Sequence, residues 1–211
     1  MNPALRFSLA AIFAFCAVAY AEDDLPLITK PAKPISRPDF MQPLGAEWSV
    51  GKGKWEPSNG VLAVTEIPDE KHVPVLHLKT GPVSVVFDCE FRYNTAKIFY
   101  VGFDAAAKHC GRVSVMPKKV LLCEDSTEVK GKTPSHTLAE LAVDLKPEEW
   151  QKLHVEYAGE RLAIRLNGQK LDAEHPYLGT PKVRWWMAAG SGAEVRNVRV
   201  SEGDPIPQEA R

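Results

Sequence analysis

Little in this sequence points to a metal, a nucleotide or a nucleic acid. It has no C-x-x-C, no H-x-H and no H-E-x-x-H, so neither a zinc knuckle nor a metalloprotease centre is encoded. No G-x-G-x-x-G or P-loop follows a strand pattern, and there is no G-x-S-x-G elbow. Neither sign of charge is in excess. Lys and Arg number 26 against 27 Asp and Glu, a formal net charge of -1, with no basic stripe. A nucleic-acid partner is therefore not expected. Beyond residue 21 no apolar run is long enough to cross a bilayer, so no stable membrane insertion is expected. No regular helical repeat appears.

The N-terminus carries a targeting pattern. Arg6 is the sole charge before residue 22; an apolar run, Phe7 to Val18, follows, then Ala19-Tyr20-Ala21 and three acids. That order is expected of a secretory signal peptide over residues 1–21, cleaved to give a secreted or periplasmic protein. Cysteine is scarce downstream: Cys89, Cys110 and Cys123. An odd number leaves one thiol over. Cys110 and Cys123 bracket a hairpin pattern, so a Cys110–Cys123 disulfide and free thiols are both open readings. Cys89 alternates with apolar residues and reads as a small buried hydrophobe.

Residues 22–43 hold five prolines and read as an extended leader or linker; residues 203–211 read as a flexible tail. Between them, over 44–202, the period is two. Val85, Phe87, Cys89, Phe91 and Tyr93 fall on one face, with Val86, Asp88, Glu90 and Arg92 on the other. Leu153, Val155 and Tyr157 alternate with Lys152, His154 and Glu156, and Leu162, Ile164 and Leu166 with Arg161, Ala163 and Arg165. Asn167-Gly168 predicts a tight hairpin, because a type I′ turn needs positive φ at both central residues. Further strands are expected at Val61–Thr65, Val75–Lys79, Ile98–Phe103, Gly111–Met116, Val120–Glu124, Val183–Ala188 and Val195–Ser201. Thr137–Leu145 is the one stretch with helical character. About eleven short strands predict an all-β, two-sheet antiparallel sandwich.

Four patches carry a family resemblance: Gly51–Val64, Val86–Tyr93, Trp150–Gly168 and Glu194–Val200. Together they resemble the 3-keto-disaccharide hydrolase domain family (DUF1080), among the concanavalin A-like and laminin-G-like jelly rolls. The resemblance spans roughly Trp48 to Ser201. It implies a jelly roll and an exported protein handling sugars. The family's Q-x-H-G segment is replaced here by Trp185-Trp186-Met187-Ala188-Ala189-Gly190-Ser191-Gly192.

Several residues are candidates for chemistry. Asp88 and Glu90 project the same way from one strand, as an acid/base pair for glycoside cleavage requires. If the substrate is a 3-keto-glycoside, as the resemblance implies, its ketone acidifies a neighbouring C–H; one base and one oxyanion stabiliser then suffice. His109 with Arg112, or His154 with Glu156, would fill those roles. Arg92 is a candidate for lining the groove. Among five tryptophans, Trp185 and Trp186 are adjacent in a strand, so one must face outward. The outward indole is the expected platform for a sugar ring, whose C–H face stacks on an aromatic. Trp48, Trp55 and Trp150 read as core. No metal ligands and no cofactor are predicted; calcium held by backbone carbonyls leaves no trace in a sequence. The expected partner is a carbohydrate. The alternative is a non-catalytic laminin-G-like module that binds protein or cell-envelope partners.

Overall fold

The computed structural model describes residues 25–79, 84–106, 108–126 and 135–207. The signal-peptide assignment to residues 1–21 lies outside them.

Fifteen strands run in chain order: β1 (Thr29–Ser36), β2 (Trp48–Lys52), β3 (Lys54–Ser58), β4 (Val61–Thr65), β5 (Val75–Leu78), β6 (Ser84–Arg92), β7 (Phe99–Ala105), β8 (His109–Met116), β9 (Lys119–Glu124), β10 (His136–Ala142), β11 (Gln151–Ala158), β12 (Arg161–Leu166), β13 (Gln169–Glu174), β14 (Lys182–Ala189) and β15 (Glu194–Pro205). They form two antiparallel sheets. One has the order β13-β12-β11-β6-β15-β4-β3, with β1 also pairing β15; the other has the order β10-β9-β8-β7-β14-β5-β2. The chain is an all-β jelly-roll sandwich, as the period-two pattern predicts.

Alternation decides what each strand buries. Val85, Phe87, Cys89 and Phe91 of β6 meet Phe99, Val101 and Phe103 of β7 and Trp185 and Met187 of β14 in a single core. Phe91 stacks on Phe99 with ring centroids 4.3 Å apart. Asn167 and Gly168 both have positive φ, 48° and 85°, and Leu166 pairs with Gln169, which is the predicted two-residue hairpin.

Three expectations fail, and of the two open readings of the cysteines the free thiols are found. The proline-rich leader is not only a linker: β1 pairs with β15, and Ile28 and Phe40 are buried. Proline is tolerated here because β1 has a neighbour on one side only, and the register shifts at Pro31/Pro34 absorb the missing donors. The tail begins later than expected, since β15 extends to Pro205. Thr137–Leu145 is strand through Ala142, paired with β9. Cys89, Cys110 and Cys123 are free and buried. Arg112 lies opposite Cys123, which puts that thiol on the outer face with Arg112, whereas the register shift in β8 turns Cys110 into the core.

Candidate functional site

The two sheets divide the predicted site residues between them. Asp88, Glu90, Arg92, His154 and Glu156 lie on the outer face of the eight-stranded sheet. His109, Arg112 and Trp186 lie on the outer face of the other sheet, and Trp185 points into the core. Asp88, Glu90, Arg112, His154 and Glu156 therefore do not share one groove.

On the eight-stranded sheet the ionisable groups are tied up by the fold. His154 Nδ1 donates to Asp88 at 2.7 Å and Nε2 donates to Glu156 at 2.7 Å. Burial works against its charge, yet the bonds to Asp88 and Glu156 outweigh that and lift its pKa to about 9. At neutral pH both ring nitrogens carry protons, so His154 has no lone pair with which to act as a base. Glu156 is completely buried, although it faces away from the core. Burial alone would raise its pKa; His154 and the backbone N–H groups of Ile28, Leu27 and Thr29 overcome this and lower it. Those N–H groups donate to the carboxylate at 2.5, 2.7 and 2.7 Å. Arg165 donates to the Leu25 carbonyl beside them. Together these bonds bind the N-terminal strap, residues 25–29, to the sheet.

Glu90 is likewise engaged. Arg196 reaches it through two nitrogens at 2.8 and 2.6 Å, and Asn197 adds a bond at 3.0 Å. Burial pushes its pKa up, and these partners bring it below the ordinary value. Arg196 and Arg92 both sit over the Trp150 ring, at 4.0 and 4.8 Å, so this half-buried tryptophan is not core. Trp48 and Trp55 are core. A shallow cavity of about 200 Å³ remains, lined by Asp88, Glu90, Lys152 and His154 among others.

The seven-stranded sheet carries a larger cleft of about 410 Å³. Its floor is Trp186. A Cβ at Gly102 on the neighbouring strand would come within 2.2 Å of the indole, so the ring lies in the space that glycine leaves. Tyr100 and His109 flank it, with ring centroids 6.4 and 5.4 Å away. His77, paired with Trp186 across β5, closes the other side. Arg112, Lys52 and His72 also line it.

Asp104 sets this arrangement. It is buried and accepts three bonds: from Trp186 Nε1 at 2.8 Å, His109 Nδ1 at 2.6 Å and Arg184 Nε at 2.5 Å. One carboxylate thus fixes an indole and a guanidinium on β14 and an imidazole on β8. Asp104 in turn raises the pKa of His109 through that hydrogen bond, against the opposing effect of burial. For His77 the sign is reversed, because burial and then the nearby Arg184 charge lower its pKa. Arg112 is held from behind by Asp125 at 3.0 Å and by Ser135. One member of the Trp185–Trp186 pair faces outward, as parity predicts; it is Trp186, and it is only 6% exposed. It is a recessed floor rather than a protruding platform.

The fold has well-populated company. A Bacillus subtilis protein of unknown function with a galectin-like fold superposes with a TM-score of 0.62 at 9% identity, over 85% of this chain and 100% of that one. The CBM2 module of the evolved Dit of Lactobacillus casei BL23 phage J-1 gives 0.60 at 9% identity, over 86% and 100%. A putative glycosyl hydrolase from Parabacteroides distasonis gives 0.50 at 10% identity, over 74% and 88%. No family model and no curated protein sequence matches the chain. At these identities the likeness establishes a galectin-like jelly-roll fold, and no more.

His77, Tyr100 and Asp104 were not among the sequence candidates. Their signal was present: Tyr100, Gly102 and Asp104 alternate with Phe99, Val101 and Phe103, so they fall on the outer face of one strand. Among the described residues no group of three or more His, Cys, Asp and Glu is arranged to hold a metal ion, and no helix is long and apolar enough to cross a membrane.

Proposed function

We propose that this protein is an exported carbohydrate-binding module whose site is the Trp186 cleft. The observation that carries the reading is the Trp186–Asp104–His109 constellation over Gly102. A flat apolar ring, held by a buried carboxylate, floors a mainly apolar cleft that also carries polar side chains. A sugar needs both parts: an aromatic face for its C–H groups and fixed donors for its hydroxyls. The cleft volume suits a small-molecule ligand. The carbohydrate-binding module and galectin-like fold among the structural neighbours support the reading, as does the N-terminal targeting pattern for export.

Binding without hydrolysis is the simpler form of this proposal. Glycoside cleavage calls for two carboxyl groups flanking the bond, and no Asp or Glu is among the residues lining the cleft. Kinship with the 3-keto-disaccharide hydrolases is the second reading, and one observation favours it. His77 is held neutral in the same cleft, where it would serve as the base that abstracts the acidified C–H of a keto sugar.

Calorimetry and product analysis on one set of samples separate these readings. The protein is titrated with neutral and acidic oligosaccharides and with 3-keto-glucosides, in calcium and in chelator. Saturable heat that Trp186→Phe weakens, without turnover, is the expected result. Turnover of a 3-keto-glucoside that His77→Gln abolishes would establish the enzyme instead. Silence toward every sugar would overturn both and favour a protein-binding, laminin-G-like module.

A further inference from the structure

The charges around the cleft bear on which saccharide it takes. The lining includes Lys52, Arg112, His72, His77 and His109, and no Asp or Glu. The acids nearby are already committed. Asp104 is held by His109, Arg184 and Trp186 and is only 3% exposed; Asp125 is fully buried behind Arg112. Glu70, close to Lys52 in space, accepts from the Gly53 N–H at 2.6 Å. Among the lining groups, the His109 side chain is 43% exposed and that of Arg112 19%. Carboxylates below the surface thus position two lining groups, Asp104 holding His109 and Asp125 holding Arg112.

We infer that the Trp186 cleft selects an anionic saccharide, one carrying a carboxylate or sulfate, over its neutral counterpart. The inference rests on the carbohydrate-binding reading and adds the ligand class to it. A neutral sugar would leave the charged donors, Lys52, Arg112 and protonated His109, only partly used. An acidic sugar supplies the acceptor for charge-assisted hydrogen bonds, which are roughly twice as strong as neutral ones. The floor still demands a sugar ring, so a bare anion satisfies only half of the site.

Protonation of His109 strengthens the effect. The groups that face it are Asp104 on β7, Arg112 on β8, Asp125 after β9, Arg184 on β14 and His77 on β5. Its bond to Asp104 raises its pKa, so the charge persists above the ordinary histidine range. Affinity for an anionic sugar is then highest when His109 is charged and falls as pH rises through its titration.

The test is a titration of the full chain with digalacturonate, a sulfated disaccharide, neutral digalactose and tripolyphosphate, at low and high salt. Digalacturonate or the sulfated disaccharide should bind about tenfold tighter than the neutral disaccharide at low salt. The two arms distinguish carboxylate from sulfate. The gap should shrink in high salt, with rising pH and in Lys52→Gln, a surface change that leaves Asp104 and Asp125 paired. Equal affinity for digalactose would overturn the inference and leave the carbohydrate-binding reading intact. Tripolyphosphate binding as tightly as the acidic sugars, unaffected by Trp186→Phe, would also overturn it. No binding of any saccharide would overturn both.

Discussion

The indole of Trp186 occupies the space above Gly102, where an added Cβ would come within 2.2 Å of the ring. Glycine is required there by contact, not by backbone conformation. Gly102→Ala must displace the indole from Asp104 or push β7 and β14 apart. We expect a loss of about 1–3 kcal/mol of stability from overpacking, a shift in tryptophan fluorescence, and loss of saccharide binding. Thermal unfolding and fluorescence spectra check this. An unchanged spectrum with full binding would show that the ring does not need its present seat.

Trp186→Phe keeps an aromatic floor and removes the indole N–H that Asp104 accepts at 2.8 Å. Binding should weaken about tenfold, as expected for a central aromatic anchor, while the fold survives. Isothermal titration against the parent protein, with circular dichroism as the fold control, measures it.

The His154–Glu156 pair predicts a pH dependence with a definite sign. His154 has its pKa raised to about 9. Its contribution is complete below the unfolded value of about 6.5 and is lost as pH climbs from there toward 9. The shift corresponds to something on the order of 3 kcal/mol. Glu156 has its pKa lowered, so its contribution is present above the unfolded carboxylate value and is lost on acidification. The strap should therefore be held best in mildly acidic solution. Limited proteolysis of the N-terminal segment across pH 5 to 10 reads this directly. Glu156→Gln, which breaks a buried pair, should cost about 3–5 kcal/mol and speed that cleavage at every pH.

The thiols give a simple check on the fold. Burial raises the pKa of Cys89 well above its ordinary value, and burial likewise raises those of Cys110 and Cys123. A thiol reagent at pH 8 should label none of them quickly in the native protein. All should react in denaturant without prior reduction. A disulfide between Cys110 and Cys123 would leave only Cys89 of these three reactive and contradict the opposite-face placement.

Strand alternation in the sequence carried most of the sandwich. The β6 pattern, the β11–β12 hairpin pair and the Asn167-Gly168 turn were all legible, because period two and turn chemistry are local properties. The β1 edge strand was not, since its prolines resemble a linker until β15 is placed beside them. Pairing between residues so distant in sequence leaves no local trace. The same limit misled the site reading. His154 and Glu156 have the composition of a catalytic pair, but Glu156 is held by backbone N–H groups more than a hundred positions away and His154 is clamped between it and Asp88. Trp185 and Trp186 were assigned opposite faces correctly by parity. How far the outward ring is recessed depends on Gly102 and Tyr100 of a strand that pairs with β14 only in the fold.

Chemical-shift mapping on the isotopically labelled protein tests the central claim most directly. Titration with a saccharide that binds should perturb Trp186 Nε1–H, the His77 and His109 rings and Tyr100, and leave His154 and Asn197 in place. Perturbations centred on Asp88, His154 and Asn197, with Trp186 unmoved, would put the site on the opposite sheet and contradict the account.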